Sequence, residues 1–177
     1  MPMTSKTTNK SQISDGEYEE FLRGLSLKAV GLKRCSASLD RAALYELWET
    51  KKTPVRDFKD TYRVTEVAAD FFEVSGLFLV TVRESGDSEP VVTIECEFEA
   101  HLHATEPIPR VFVDRFVKSA LQLILVPYAR PFVSSITAQM SIPPLIIPLS
   151  IRSTEDASGA SKKQSKEPRP GTHAKAR

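Results

Sequence analysis

The chain has 177 residues, 41 % of them apolar and 27 % charged. That suits one globular domain with a sizeable core. The net charge of +1 hides an asymmetry: residues 13–150 hold 15 basic and 20 acidic side chains, a balance of −5, while residues 1–12 and 151–177 are basic. No run of about 18 apolar residues exists, so no membrane-spanning helix is expected, and the polar start MPMTSKTTNKSQ lacks the apolar core of a secretory signal. Two cysteines make no disulfide framework. Cys35 and Cys96 read as small buried residues in a reducing compartment, and the cytoplasm is the expected location.

Residues 1–14 are polar and aperiodic, which predicts a disordered arm. Glu17 to Leu22 reads as a short helix with Asp15 as its cap. Ser26 to Leu39 alternates like a strand, Asp40 caps a two-turn helix through Trp48, and Thr53-Pro54 ends it. Asp57 to Arg83 is a long β-branched and aromatic stretch. Phe72, Val74, Phe78, Val80 and Val82 share one face, and Leu77 and Leu79 lie on the other. Gly76 marks a bend or bulge. After the turn at Ser85-Gly86-Asp87-Ser88, Val91 to His103 alternates without a break. Val92, Ile94, Cys96, Phe98, Ala100 and Leu102 form an apolar face; Glu95, Glu97, Glu99, His101 and His103 form a polar one. This predicts a half-buried antiparallel strand with an exposed acidic stripe.

Pro107 and Pro109 end the sheet, and apolar residues at three- and four-residue spacing predict a helix over Val111 to Val126. Its apolar arc, with Val113, Phe116, Val117, Ala120, Leu121 and Ile124, is too wide for one sheet to cover. A second copy of the chain is the simplest cover, giving a homo-oligomer. Pro127 and Pro131 predict a kink before a second helical piece over Tyr128 to Met140. Ile142 to Leu149 is very apolar but holds three prolines, so it reads as an extended arm laid on the body or else as an exposed sticky loop. Residues 151–177 read as a disordered basic tail, leaving one domain over 15–150. The fold class is α+β: an antiparallel sheet of about four strands with a long proline-kinked helix packed on it.

Leu125-Val126-Pro127-Tyr128-Ala129-Arg130, followed by a short helix and Ile142-Pro143-Pro144-Leu145, resembles the SecB family of bacterial export chaperones. The resemblance covers roughly residues 24–149 and extends to the order of strands, long helix and apolar crossover. It implies a homotetramer that holds unfolded or nascent polypeptides in hydrophobic grooves, without ATP or any cofactor. Carried over by position, the client-binding candidates are Tyr128, Phe132, Ile142, Pro144, Leu145, Ile147 and Leu149. Composition adds Leu77, Leu79 and Trp48. The implied partners are export clients with the translocase motor or, in a SecB-like branch, an antitoxin. The sequence departs from the family where motor docking is concerned: Arg34 and Ser38 stand at first-strand positions that are acidic in export chaperones, and the tail is basic. The family's second helix, which closes over the groove, is not expected here, since Ser150-Ile151-Arg152-Ser153 reads as the start of the polar tail.

Other signals have plainer readings. Glu95, Glu97 and Glu99 are either a solvated row that discourages edge pairing or a docking surface for a basic partner. His101 and His103 lack a full ligand set for zinc and read as exposed strand-end residues. No nucleophile–base pair or phosphate loop is present, so no enzyme is expected. The basic tail has no aromatics for base stacking, so no nucleic-acid partner is expected. The alternative from another class is a small-molecule or enzymatic domain whose closed pocket uses Glu99, His101 or Asp114.

Overall fold

The computed structural model describes residues 14–86 and 88–148. The two predicted basic arms, apart from Ser14, and Leu149 lie outside them. The elements in order are α1 (Asp15–Gly24), β1 (Leu25–Leu39), α2 (Arg41–Glu49), β2 (Val55–Val67), β3 (Phe71–Arg83), β4 (Val92–Ala104), α3 (Arg110–Ser119) and α4 (Leu121–Gln139). The strands form one four-stranded antiparallel sheet in the order β1-β4-β3-β2. The α+β class holds.

Local chemistry sets the boundaries. Ser14, one residue ahead of the expected Asp15, caps α1: its hydroxyl accepts from the Glu17 amide at 3.3 Å, and the Glu17 carboxylate accepts from the Ser14 amide at 3.2 Å. Asp40 caps α2 as expected, accepting from the Ala43 amide at 3.0 Å. The stretch read as continuous over Asp57 to Arg83 is two strands. Between them the Ala68 amide bonds to the Phe71 carbonyl at 2.8 Å, closing a tight connection that contains neither Gly nor Pro.

The apolar faces of β3 and β4 are buried as the alternation predicts, from Phe72 to Val82 and from Val92 to Leu102. The opposing layer is α3, α4 and the segment after α4: Val113, Phe116, Leu121, Leu125, Val126, Ala129 and Val133, then Ile142, Leu145 and Ile147. Glycine at 76 reflects a close approach. A Cβ there would lie 2.8 Å from Leu125 Cδ1 and 2.9 Å from the Tyr62 ring.

The long helix breaks earlier than the prolines suggest. Ala120, at φ −118°, separates α3 from α4, and both prolines lie inside α4. At the break the Ser119 hydroxyl donates to the Arg115 carbonyl at 2.9 Å and sits 3.2 Å from the Tyr18 hydroxyl. Back-bonding of this kind bends helices. Pro127 and Pro131 are exposed, so water reaches the carbonyls they leave unpaired on that side of α4.

The wide apolar arc is covered from within the chain. The α1 rings of Tyr18 and Phe21 lie 6.0 and 5.3 Å from Phe112 on α3, and Arg115 pairs with Asp15 at 2.8 Å. Val113, Phe116 and Leu121 are therefore core residues of a single chain, while Val117, Ala120 and Ile124 are half-buried. Among the described residues, the large apolar side chains left open on α3 and α4 are Val111, Leu123 and Tyr128, with Leu123 73 % exposed.

Gly76→Ala forces Leu125 or Tyr62 to move and should lower the unfolding free energy by about 1–2 kcal/mol. The midpoint of urea unfolding reads this; an unchanged or raised midpoint would contradict the close packing described.

Candidate functional site

The arm after α4 is fixed at its start by a small set of backbone bonds. Ser141 takes a left-handed conformation at φ 60°, and its amide bonds to the Ala138 carbonyl at 3.0 Å, turning the chain back. The Ile142 amide reaches the Thr137 carbonyl at 3.2 Å. Thr137, fully buried, accepts from the Leu145 amide through its hydroxyl at 3.2 Å. The same hydroxyl donates within the helix, to Val133 or Ser134. Arg41 donates to the Met140 carbonyl at 3.2 Å, tying α2 to the end of α4. From Pro144 onward the arm alternates: Leu145 and Ile147 point into the core, and Pro144, Ile146 and Pro148 point out.

This placement divides the expected client-binding residues. Ile142, Leu145 and Ile147 are seated in the core and hold the arm down. Pro144 is exposed, Tyr128 is 46 % exposed, and Phe132 is half-buried with its ring edge-on to Phe98 at 5.6 Å. Leu77 and Leu79 are half-buried on the far side of the sheet, opposite Glu97 and Glu95 in the β3–β4 register, and so do not join the arm. Trp48 is exposed on α2 and packs edge-on against Tyr45. Sequence reasoning missed Ile146, the most exposed large apolar side chain of the arm at 57 %. The two-residue period of an extended segment pointed to it, because residues 145 and 147 cannot face the core together with 146.

The polar face of the sheet is not an open acidic row. Glu97 is only 2 % exposed, and both its oxygens are engaged, by Arg34 Nε at 2.7 Å and by Arg63 at 2.6 Å. Burial alone would raise its pKa. Hydrogen bonds from Arg34, Arg63 and Ser75 outweigh that and hold the carboxyl at about 2. Glu99 pairs with Lys33 at 2.9 Å, and Glu95 with Arg34 at 3.5 Å. The Lys33 hydrogen bond is the main reason the Glu99 carboxyl lies below its ordinary range. The stripe is neutralised by β1 and β2, whose cations a reading of β4 alone does not see.

Of the pocket alternative's polar groups, Glu99 and His101 meet on the outer face of the sheet and Asp114 stands apart on α3, so the three do not share a cavity. His101 lies between Glu73 at 2.9 Å and Glu99 at 3.5 Å on the outer face, and His103 faces Asp70 at 3.2 Å. Asp114 is exposed beside Arg110. A cleft of about 620 Å³ lies between α1 and the β4–α3 connection, lined by Glu17, Glu20, Phe21, Glu106 and Phe112 among others, and none of the three pocket candidates lines it. Among the described residues no group of three or more His, Cys, Asp or Glu side chains is arranged to hold a metal.

Because the folded state holds Glu97 ionised to about pH 2, its contribution is complete above about pH 5 and disappears as the pH falls toward 2. Glu97→Gln takes away the carboxylate that Arg34 and Arg63 share, leaving Arg34 only its longer pair with Glu95, and should cost about 1–3 kcal/mol at pH 7, discounted because both arginines are solvent-accessible. The deficit should shrink as the pH is lowered to 3. Denaturant titrations at both values measure it, and a deficit that stays constant or grows would contradict the ion-pair account.

No family model and no curated protein matches the sequence. Among solved structures, one similar chain is the Mycobacterium tuberculosis Rv1957 SecB-like chaperone, in complex with a ChAD peptide from the Rv1956 HigA1 antitoxin. It is 19 % identical, with a TM-score of 0.63 over 77 % of this chain and 98 % of that one. A Streptococcus agalactiae protein of unknown function matches 70 % of this chain and 96 % of that one at 12 % identity; its TM-score of 0.37 is too low to carry an argument. The four-stranded antiparallel sheet and the helices packed on it match a SecB-like fold.

Proposed function

We propose that the chain is a SecB-family holdase, which binds unfolded or nascent polypeptide on the apolar surface along α4 and the arm, without ATP. The observation that carries this reading is the arm itself. It is pinned to the core by Ile142, Leu145 and Ile147 but leaves Pro144 and Ile146 open to solvent, as Tyr128 is on α4. Its prolines remove amide donors, so the arm is not a regular strand. Client side chains gain about 25 cal/mol per Å² of apolar surface buried there, with no demand on sequence. An extended client segment also has sheet edges, β1 and β2, to pair with. The proposal includes a cytoplasmic homotetramer, with Val111 and Leu123 as the open helix residues that a second copy would cover.

Two kinds of client fit this surface: export substrates delivered to the translocase motor, or one dedicated partner such as an antitoxin. The neutralised stripe of Glu95, Glu97 and Glu99 favours the dedicated client, since motor docking calls for open acidic groups. The neighbour solved with an antitoxin peptide supports the same choice.

The test is suppression of light scattering when a denatured model client is diluted into the full-length protein without nucleotide. The wild-type chain should suppress aggregation. Tyr128→Asp with Ile146→Asp should weaken client binding at least about tenfold and leave the thermal midpoint nearly unchanged, because both side chains are exposed. Aggregation that proceeds unhindered with wild-type protein, or a double variant that holds clients equally well, would sink the proposal.

A further inference from the structure

The register of β1 on β4 sets the two cysteines of the chain, Cys35 and Cys96, directly opposite each other. Opposed residues of an antiparallel pair project to the same face. Their spacing follows from the ladder. The Asp40 amide donates to the Val91 carbonyl at 2.9 Å, so this pair, next after Leu39 and Val92, is hydrogen-bonded. Hydrogen-bonded and non-bonded pairs alternate along an antiparallel ladder. The only register shifts in β1 lie before Arg34. Stepping back from Asp40 through Leu39, Ser38, Ala37 and Ser36 makes Cys35 and Cys96 a non-bonded pair. In such pairs Cα atoms approach to about 4.5 Å, within the range of about 4.4–6.8 Å that a disulfide spans.

The two thiols differ in access. Cys96 is buried under the helical layer, while Cys35 on the edge strand is exposed, contrary to the sequence expectation that both are buried. Burial first, then the neighbouring Cys35 and Glu95, push the Cys96 thiol up to about 12; burial also raises Cys35. Both are thiols at neutral pH, so the pair stays open until an oxidant arrives.

We propose that Cys35 and Cys96 are a redox modification site that a peroxide converts to a cross-strand disulfide. The exposed Cys35 sulfur attacks one peroxide oxygen, the O–O bond breaks, and one water leaves with the thiol proton transferred to it. The Cys35 sulfenic acid that results is then attacked by the Cys96 sulfur; the S–O bond breaks and a second water leaves, taking the Cys96 proton. Two thiols lose two electrons, and one peroxide becomes two waters. The bond ties the edge strand to the central strand and closes the long loop between them. Such a link restricts the unfolded chain and reverses with a dithiol.

Hydrogen peroxide applied to the full-length protein, followed by unfolding in iodoacetamide, intact mass and peptide mapping, tests this. The expected product is a chain lighter by two hydrogens, unalkylated, with one cross-linked peptide pair containing Cys35 and Cys96, restored by dithiothreitol. Cys35→Ser, an exposed and tolerated change, should give no such product and should leave Cys96 open to alkylation after unfolding. The proposal is overturned if peroxide leaves wild-type Cys96 alkylatable while Cys35 carries a sulfinic group, or if Cys35 links two chains.

Discussion

The architecture depends on the uninterrupted two-residue alternation of β4. As a central strand, β4 presents Val92, Ile94, Cys96, Phe98, Ala100 and Leu102 to one side and Glu95, Glu97, Glu99, His101 and His103 to the other. A slip of one residue would exchange the faces and drive three glutamates into the apolar layer. The register is therefore fixed by the large cost of burying unpaired charge. β3, paired to β4 along its length, extends the same division, and each layer of the protein then has one place to go. The helices and the arm take the apolar side; Lys33, Arg34 and Arg63 from the edge strands neutralise the other.

The helical side is covered unevenly, and that unevenness carries the proposed function. α1 covers α3 with Tyr18 and Phe21, which pack against Phe112, and with the Tyr18 ring under Arg115. Among the described residues α4 and the arm have no such cover, and Leu123, Tyr128 and Ile146 are open. The arm is attached by three buried side chains and by the Thr137 hydroxyl, which satisfies the Leu145 amide where no strand partner is available. An apolar segment held this way is anchored without being covered. Ordinary cores bury such residues on all sides; an exposed apolar surface on a well-packed support is what a non-selective polypeptide site requires.

Much of the fold was legible because it rests on local periodicity. The alternation of β4, the Asp40 cap and the apolar arm all followed from residue spacing. What was not legible rests on contacts distant in sequence. Glu97 reads as an exposed acid until Arg34 and Arg63 arrive from β1 and β2. Val113 and Phe116 read as an oligomer surface until α1 and the sheet cover them. The helix break fell at Ala120, although Pro127 and Pro131 carried the sequence signal, because exposed prolines are tolerated and Ser119 bends the chain through its own hydroxyl. In the candidate site the arm was legible as a whole, but its inward and outward residues were not separated. Leu145 and Ile147 hold the structure together, and Ile146 faces the solvent.

In the proposed function, polypeptide is held on the α4–arm surface and not on the charged face of the sheet. The most direct measurement is amide hydrogen exchange of the full-length protein with and without a bound unfolded client. Slower exchange on binding is expected in the arm at residues 145–147 and in α4 around Tyr128, with no change at Glu95, Glu97 and Glu99 in β4. Protection confined to the charged face, or no protection anywhere in a complex shown to form, would contradict it.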